Sequence, residues 1–432
     1  MNINAILSQK NIIFVLLALI SLRFLEKQYL WTILLLLICC LPQREKKFTL
    51  NVEWMVLFLS FASYYLIFQT YNGIQIENLI SFFLGPLIFY FAGSKLIKKS
   101  TGNKEFTFEK VVIILLTGSA IFATLCIVYK LTHMSLYDTQ FTQADIFFSM
   151  KERYVLNVWN GALFHPTNLN SQYIFVSITA LYFIQRVKKV KQKIWFVAML
   201  AFMVWGSLTT ASRTNLYIFL VMIIIGYLVN MKISSKKSEI RIKKKTLLKM
   251  IGIAFLLMVL ALLWNKISQT FLSNTALFNR INSENLSLEH DGRWERMERV
   301  YSNLLNYPFG NMPFPHAHNL FLDIARVAGI FPMVFMIIYF FMITSTTIRF
   351  LKNKLISQEV RLLGILLFIG MFISFMIEPV LEGRPYIFMM FCFINGMMRS
   401  MVTLNHKFQE TNLKTSQKSY INNYVIGMGE KK

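Results

Sequence analysis

The chain has 432 residues, of which 55% are hydrophobic and only 15% are charged, and its mean hydropathy is +0.50. Soluble domains carry about a quarter charged residues, so this composition excludes an ordinary soluble protein and predicts an integral membrane protein. The net charge of +24 would indicate a nucleic-acid partner in a soluble chain, but here the basic residues fall in short loops between apolar segments, which excludes that interpretation.

About twelve apolar segments follow one another along the chain, most of them close to the roughly 20 residues that cross a bilayer. They lie at residues 3–22, 29–41, 52–69, 78–97, 111–131, 168–185, 194–208, 215–231, 247–267, 330–348, 362–377 and 386–403. The sequence therefore predicts an all-α, polytopic membrane domain over residues 1–403, followed by a polar tail over 404–432.

The connections between these segments alternate in charge. The basic set holds 30 Lys and Arg residues and comprises 43–48, 95–110, 186–193, 232–249, 349–361 and the tail. The other set holds ten and comprises 23–28, 71–77, 132–167, 209–214, 268–318 and 378–385. Basic loops stay on the cytoplasmic side, so both termini are predicted to be cytoplasmic, and the long connections 132–167 and 268–329 extracytoplasmic.

The four cysteines, Cys39, Cys40, Cys126 and Cys392, lie in apolar segments and are interpreted as small buried hydrophobes rather than disulfides or metal ligands. The cytoplasmic connections contain no P-loop, no nucleotide-binding glycine motif and no metal-ligand spacing. We therefore expect no cofactor and no ATP or nucleotide-sugar substrate. No small-residue cleavage site follows the first apolar segment, so no cleavable signal peptide is predicted.

The segment 291–332 lies between two strongly apolar segments, and the rest of the chain is organised around it. The Asp-Gly pair before Arg293 predicts a helix start, which puts Arg293 in a first turn where free N–H groups favour phosphate. Arg299 has an acidic partner at Glu295, four residues earlier, and is interpreted as a surface ion pair; Arg296 is assigned to a neighbouring glutamate or to solvent. Arg293 lacks such a partner, so it is the better anion-binding candidate, with an ordinary structural role as the alternative.

A second helix in this segment is predicted to begin near its paired histidines. The polar residues that would share one face of it are His318, Asn319, Asp323 and Arg326. His318 is a candidate acid, base or phosphate-binding group, and a core histidine is the alternative. His316 and His318 have no cysteine or carboxylate at supporting spacing, so no metal site is predicted.

Other candidates lie at neighbouring extracytoplasmic ends. Arg213, in TTASRTNL, is costly at a membrane edge unless it binds an anion in a polar cavity or extends to the interface. His165 and Asn168, in GALFHPTNLN, form a turn that leads into a helix and belong either to a helix cap or to the site. The connection 378–385 carries Glu378, Glu382 and Arg384: either Glu382 and Arg384 pair with each other, or one of the carboxylates serves as a base, and this signal is weak.

In their order, these pieces resemble motifs of the O-antigen ligase/polymerase superfamily, the bacterial polytopic glycosyltransferases. GALFHPTNLN is similar to a Gly…Asn/His-Pro-x-Asn motif, TTASRTNL to a Ser-Arg motif that opens a span, and DGRW lies in the large loop. His318-Asn319, nine residues and Gly329 resemble the ligase-type His-Asn-x9-Gly-x-x-Gly pattern, with Pro332 in place of the final glycine. The resembling pieces span about residues 161–332.

The resemblance implies a GT-C-like fold with short helices in the extracytoplasmic loop 268–329. It also implies metal-independent transfer of a glycan from a polyprenyl-diphosphate donor to a sugar hydroxyl outside the cytoplasmic membrane. Arg213 and Arg293 would bind the diphosphate, and His318 would act as a general base or phosphate contact. Asn319, Arg326, His165 and Asn168 are the further substrate-binding candidates.

Three functions remain open from the sequence. A polymerase would join lipid-linked repeat units into a capsule, exopolysaccharide or O-antigen chain, and a ligase would move the finished chain to another acceptor. A flippase for lipid-linked oligosaccharide belongs to a different class, but its charges should lie near span midpoints. Here they cluster at one membrane face, which favours an enzyme. The expected partners are the lipid-linked oligosaccharide, the glycan acceptor, the bilayer and other polysaccharide-assembly membrane proteins.

Overall fold

The structure, a computed structural model, describes residues 9–40, 51–100, 103–143, 153–210, 212, 214–234, 292–383 and 385–404. Within them the first elements are α1 (Gln9–Ser21), α2 (Gln28–Cys40), α3 (Val52–Asn72), α4 (Ile76–Lys99), α5 (Lys104–Thr132), α6 (Met134–Gln143), β1 (Val155–Leu156) and β2 (Leu163–Phe164). They are followed by α7 (Pro166–Gln172), α8 (Ile174–Arg186), α9 (Val190–Thr209), α10 (Thr214–Ser234), α11 (Arg293–Ser302), α12 (Leu320–Ala328), α13 (Ile330–Lys352), α14 (Gln358–Ile377), α15 (Val380–Gly383) and α16 (Pro385–Leu404). The strands β1 and β2 form one short antiparallel hairpin.

Within the described residues, seven helices are long and apolar enough to cross a bilayer: α3, α4, α5, α9, α13, α14 and α16. Three shorter apolar helices lie in α1, α2 and α10. The prediction of an all-α membrane protein is therefore confirmed. The predicted segment 247–267 lies outside the described residues, and the total of about twelve spans stays a prediction.

The single span predicted at residues 168–185 is instead divided into two helices. The short helix α7 ends at Gln172, and α8 begins at Ile174 after a break at Tyr173. The sequence of α7, PTNLNSQ, is mostly polar, so this turn cannot be stabilised by lipid contact and is held instead by hydrogen bonds to other helices.

Two glycines let α4 and α16 approach at backbone distance. A Cβ atom on Gly93 would lie 2.0 Å from the carbonyl oxygen of Phe393, and one on Gly396 would lie 2.0 Å from that of Tyr90. Small residues permit this approach in membrane proteins, where helix association depends on close van der Waals packing. The α4–α16 crossing thus forms a rigid part of the core.

Polar contacts join the helix ends at one face of the molecule. Tyr90 and Thr346 donate hydrogen bonds to the carboxylate of Glu53 over 2.6 and 2.5 Å, and Arg399 lies 3.3 Å from the same carboxylate. These residues come from α3, α4, α13 and α16, whose ends at this face are all predicted to be cytoplasmic. Which face is cytoplasmic stays a prediction.

At the opposite face, Arg23 ties the turn between α1 and α2 to the core. Its guanidinium lies 4.7 Å from the ring centre of Phe164 in β2 and 5.5 Å from that of Tyr386 in α16. It also forms a 2.7 Å ion pair with Glu26, which accepts a hydrogen bond from Asn157 in the hairpin loop. The hairpin is therefore held beside the entry to α7 by cation–π and ionic contacts.

The described part of the predicted extracytoplasmic loop, residues 292–329, has a small hydrophobic core of its own. Its buried members are Val300, Met312 and Ala317. The backbone N–H groups of Asn311 and Met312 donate to the carbonyls of Val327 and Arg326, over 3.1 and 3.0 Å, and so satisfy the C-terminal end of α12. This packing fixes α11 and α12 relative to each other above the ends of α13 and α14.

Candidate functional site

Arg293 begins α11, as the sequence predicted. Gly292 precedes it with a left-handed backbone (φ +60°) and has no side chain to cap the helix, so the first-turn N–H groups gain no side-chain acceptor from the N-cap. The Arg293 guanidinium donates from Nη1 to the carbonyl oxygen of Ile377 over 3.0 Å, and its Nη2 lies 4.0 Å from Oε1 of Glu378. The Arg293 side chain is thus fixed to the end of α14 while remaining 27% exposed.

Glu378 joins three elements at this face. Its side chain is only 2% exposed, and its Oε1 accepts a 2.5 Å hydrogen bond from the hydroxyl of Thr214 at the start of α10. Thr214 directly follows Arg213, which lies outside the described residues, so the predicted role of Arg213 remains a prediction. The sequence indicated Glu378 only weakly, although a carboxylate at the end of an apolar span is itself a functional signal.

The two motifs HPTNLN and TTASRTNL meet through Asn170. Its amide donates to the carbonyl oxygen of Pro166 over 2.7 Å and to the hydroxyl of Thr210 over 2.6 Å. Asn215 in α10 donates to the carbonyl oxygen of Asn170 over 2.6 Å. Sequence reasoning missed Asn170 and Asn215; the available signal was an amide side chain within an apolar segment, where it needs partners.

His165 and Asn168 lie near this contact but at its edge. His165 is the N-cap of α7: its Nδ1 accepts from the backbone N–H of Thr167 over 3.2 Å, and its exposed ring meets Tyr154 edge-on at 5.2 Å. Asn168 accepts from the hydroxyl of Ser171 through its backbone carbonyl over 2.6 Å. The capping alternative for His165 is therefore observed, and substrate binding by His165 and Asn168 stays a prediction.

His318 lies before α12 rather than on its polar face, so the prediction that it shares a helix face with Asp323 and Arg326 was wrong. Its backbone is left-handed (φ +56°), which is unusual for a residue with a side chain. Asn319 is the N-cap and accepts from the N–H groups of Phe321 and Leu322 over 3.1 and 3.2 Å. An asparagine directly before an apolar helix is an N-cap signal, so the helix should have been predicted to begin after Asn319 and not near His318.

Asp323 supports the turn that carries His318, and no bond joins its carboxylate to the imidazole. The carboxylate is buried and accepts hydrogen bonds from the backbone N–H of Ala317 over 2.6 Å and of Asn319 over 3.2 Å. These two bonds flank His318 and hold its backbone in the left-handed conformation. Asp323 therefore positions the histidine through the main chain.

Arg326 holds the other side of the same turn. Its Nη1 donates to the carbonyl oxygen of Phe314 over 3.1 Å, its Nη2 lies 3.4 Å from Nδ1 of His316, and its Nε lies 3.9 Å from Asp323. These three contacts join Arg326 to residues of the same segment, so Arg326 helps to hold the turn. Substrate binding by Arg326, predicted from the sequence, stays a prediction.

The imidazole of His318 faces α11. Its Nε2 lies 3.3 Å from Nη1 of Arg296, the arginine that the sequence had assigned to a glutamate or to solvent. Its Nδ1 is buried and has no hydrogen-bond partner among the residues described. Burial, Arg293, Arg296 and His316 lower the pKa of His318 from 6.5 to about 4, against an opposing effect of Glu378. The ring is therefore neutral near pH 7.

Gly329 ends α12 in a conformation that only glycine adopts easily. Its φ is +86°, and a Cβ atom would lie 2.1 Å from the carbonyl oxygen of Pro308. That carbonyl also accepts from the N–H of Ile330 over 3.0 Å. Pro332, which stands where the ligase-type pattern has its second glycine, fits in the first turn of α13, and its carbonyl accepts from Ser60 over 3.0 Å.

We define the arginine–histidine cluster as Arg293, Arg296, His318 and Glu378. Two guanidinium groups one helical turn apart suit an anion with several oxygens, and a neutral imidazole beside them suits a proton acceptor. Within the described residues, no group of three or more His, Cys, Asp or Glu side chains is arranged to hold a metal ion. Metal-independent chemistry stays a prediction. Cys39, Cys126 and Cys392 are buried, as the sequence predicted.

Comparison with protein-family models finds no matching family, and comparison with curated proteins finds no match. The candidate function therefore depends on the geometry of the arginine–histidine cluster and on the motifs that resemble the glycosyltransferase superfamily.

Proposed function

We propose that the protein is a membrane glycosyltransferase of the polysaccharide-polymerase type. It would transfer a glycan from a polyprenyl-diphosphate donor to a sugar hydroxyl of the growing chain. The observation that supports this most is the arginine–histidine cluster: Arg293 and Arg296, on successive turns of α11, flank the neutral imidazole of His318. A diphosphate needs two or more positive donors, and a hydroxyl nucleophile needs a neutral base, and this cluster combines both.

The proposed reaction breaks the bond between the sugar C1 and the diphosphate oxygen, and the electron pair leaves on the diphosphate. A bond forms between C1 and the acceptor oxygen, whose proton passes to His318. The guanidinium groups of Arg293 and Arg296 stabilise the charge that develops on the leaving group. The first turn of α11 adds backbone N–H groups to the same side.

Arg213 is a further diphosphate ligand in this proposal, together with Arg293 and Arg296. Its neighbour Thr214 donates to Glu378, and Glu378 faces Arg293, so the chain directly after Arg213 approaches the cluster. Of the remaining candidates, Asn319 caps α12 and Arg326 holds the turn before it, so both would act mainly by positioning His318.

The proposed location is the outer face of a bacterial cytoplasmic membrane. The charge bias of the connections supports about twelve spans with both termini in the cytoplasm. With that orientation, α11, α12, the start of α10 and the end of α14 would all lie outside. Lipid-linked donors would then reach the cluster from the outer leaflet.

The transporter alternative fits the structure less well. The buried charged side chains within the described residues are Glu53, Lys95, Asp323 and Glu378. Each lies near the end of a helix, whereas coupling and substrate sites of transporters lie near the bilayer midplane. The ligase alternative retains the His-Asn pair and Gly329 but lacks the final glycine, which favours the polymerase.

Deletion of the gene, followed by gel profiling of the surface glycan, tests the proposal. A polymerase deletion leaves products of a single repeat unit, and a ligase deletion leaves long lipid-linked chains that are not transferred. Complementation with the wild type should restore the long chains, Arg293→Lys should not, and Arg299→Lys is the matched control on the same helix. An unchanged glycan profile after deletion would contradict both transferase functions.

A further inference from the structure

The contact between Arg296 and His318 determines where the imidazole carries its proton. A guanidinium is a donor only, so the nitrogen that faces it, Nε2, must accept. In the neutral ring the proton is then on Nδ1. This nitrogen is the buried one, with no partner among the described side chains.

The same contact prevents His318 from reaching an acceptor hydroxyl in this state. A general base must lie within about 3 Å of the proton that it removes, and the basic nitrogen of His318 is occupied by Nη1 of Arg296. Nδ1 is already protonated and is closed off by the protein. His318 therefore has the right protonation state for a base but no exposed lone pair.

An anion beside α11 would change this arrangement. An arginine–phosphate bond joins two opposite charges and can be bidentate, whereas the bond to the imidazole joins the guanidinium to a neutral acceptor, so phosphate is the stronger acceptor for Arg296. Arg296 is half-buried, so its guanidinium has room to turn. Arg293, one turn earlier on the same helix, would bind the same anion.

We infer that Arg296 is a positioning residue that masks Nε2 of His318 in the donor-free protein, and that a diphosphate bound beside Arg293 draws its guanidinium away and frees Nε2 for the acceptor hydroxyl. This inference rests on the proposed function, because it assumes a diphosphate donor. It links the base to the donor, so that His318 becomes a base only when the sugar to be transferred is present. Activation of water or of a hydroxyl without a donor is thereby suppressed.

The proton balance follows from the same groups. The proton of the acceptor hydroxyl passes to Nε2, which gives an imidazolium with protons on both nitrogens. The groups that surround this imidazolium are Arg293 and Arg296 from α11, His316 from its own segment and Glu378 from the end of α14. The negative charge of a bound diphosphate offsets the effect of Arg293, Arg296 and His316, which lower the pKa of His318. After the product leaves, the proton returns to solvent.

Titration of the histidines by nitrogen NMR tests this coupling without any catalytic turnover. The protein is purified in detergent with ¹⁵N-labelled histidine, and the His318 signal is identified by its loss in His318→Gln. We expect the Nδ1-protonated form and a pKa near 4 without ligand. Inorganic pyrophosphate should raise the pKa of His318, because a nearby negative charge favours the imidazolium, and should move the Nε2 signal away from its hydrogen-bonded position.

Arg296→Gln should raise the pKa of His318 before any ligand is added and should reduce the further rise caused by pyrophosphate. Arg299→Gln, on the exposed side of the same helix, is the matched control and should behave as the wild type. If Arg296→Gln does not accumulate, the wild-type titration decides alone. An unchanged His318 signal in wild-type protein saturated with pyrophosphate, or a ring protonated on Nε2 without ligand, would overturn the inference.

A transfer assay with lipid-linked donor separates this inference from the proposed function. If Arg296 acts through His318, Arg296→Gln should move the acid limb of kcat/KM to higher pH, because that limb reports the base of the free enzyme. If Arg296 is only a donor ligand, KM rises and the limb stays in place, which contradicts the inference alone. Absence of transfer by the wild-type protein would contradict the proposed function, while the NMR result would still stand.

Discussion

Two buried carboxylates at opposite faces of the molecule have nearly the same surroundings by composition. Glu53 and Glu378 are each 2% exposed, and each faces an arginine that is about a quarter exposed, Arg399 at 28% and Arg293 at 27%. Both carboxylates also accept a hydrogen bond from a threonine hydroxyl. Composition alone would assign them the same role.

Their geometry differs. At Glu53 the arginine lies 3.3 Å away, Tyr90 donates to the other carboxylate oxygen over 2.6 Å, and Arg399 also donates to Thr346. Each polar group bonds to another member of the network, so the four residues hold α3, α4, α13 and α16 together. The Glu53 network therefore has a structural role.

At Glu378 the Arg293 guanidinium lies 4.0 Å from the carboxylate, an ion-pair distance, and donates a hydrogen bond to the carbonyl of Ile377 over 3.0 Å. Beside it, His318 has a left-handed backbone and a buried nitrogen without a partner among the described residues. Unfavourable groups of this kind persist where the surrounding structure holds them and a ligand can compensate them. The strained backbone and the buried Nδ1 of His318 distinguish the cluster at Glu378 from the network at Glu53 and mark it as the candidate site.

The largest effect is expected at His318. If it removes the acceptor proton, His318→Ala should reduce transfer by about 10²–10⁴-fold while donor binding changes little. The measurement is in vitro transfer with purified protein, lipid-linked donor and a chelator present. His316→Ala should be milder, because His316 is exposed, its ring contacts Arg326, and its effect on the pKa of His318 is smaller than those of burial and Arg293.

Full activity of His318→Ala would exclude the imidazole from the mechanism. It would also remove the functional distinction between the cluster at Glu378 and the network at Glu53. Loss of wild-type activity in chelator would instead indicate a metal requirement. Both outcomes can be distinguished on the same gel.

The next largest effect is expected at Arg293, and the corresponding change at Arg399 is its control. Arg293→Lys keeps the charge but loses the planar fork that suits a diphosphate, so transfer should fall by about 10²–10³-fold with normal accumulation. Arg399→Lys should leave turnover per folded molecule unchanged and lower the thermal stability. Transfer rate and melting temperature are measured on the same preparations. Equal losses of turnover in both variants would show that Arg293 is not distinguished by its position.

The sequence predicted the features that depend on neighbouring residues. The spans are visible because each is a long apolar run, and α11 begins at Arg293, directly after the Asp-Gly pair from which a helix start was predicted. His318 was placed wrongly because the helical periodicity was extended through Asn319. That residue caps α12, and the residue before it is free to take a left-handed backbone.

The contacts that define the cluster join residues far apart in the chain, and no local pattern specifies them. Thr214 and Glu378 are separated by 164 positions, and Arg296 and His318 by 22. Arg296 was assigned to a neighbouring glutamate or to solvent because the sequence pattern considers only partners on its own helix. Only the fold of residues 292–329 turns it towards the imidazole, and only the fold distinguishes Glu378 from Glu53.

A smaller effect is expected when either buried carboxylate, Glu53 or Glu378, is replaced by glutamine. Glu53→Gln removes the charge from the tighter network and should destabilise the protein by about 1–3 kcal/mol. Glu378→Gln should destabilise it less, because its ion pair is longer and Arg293 keeps its bond to Ile377. Thermal unfolding in detergent measures both. In the transfer assay Glu378→Gln should lose more activity than Glu53→Gln. If one variant lost more in both assays, Glu53 would not be a structural residue and Glu378 a site residue.

The smallest effect is the acid sensitivity contributed by the cluster. Burial and the neighbouring arginines lower the pKa of His318 from 6.5 to about 4, so between these values the unfolded chain binds a proton that the folded protein does not. Stability from this residue is therefore present above pH 6.5 and is lost as the pH falls towards 4. Because the ring is only partly buried, the loss should lower the melting temperature by about 1–2 °C. The matched variant is His318→Gln, which cannot titrate, and the difference between wild type and variant should change progressively across this pH window. A constant difference would show that the imidazole titrates normally, and then the cluster would be no less well matched than the pair at Glu53.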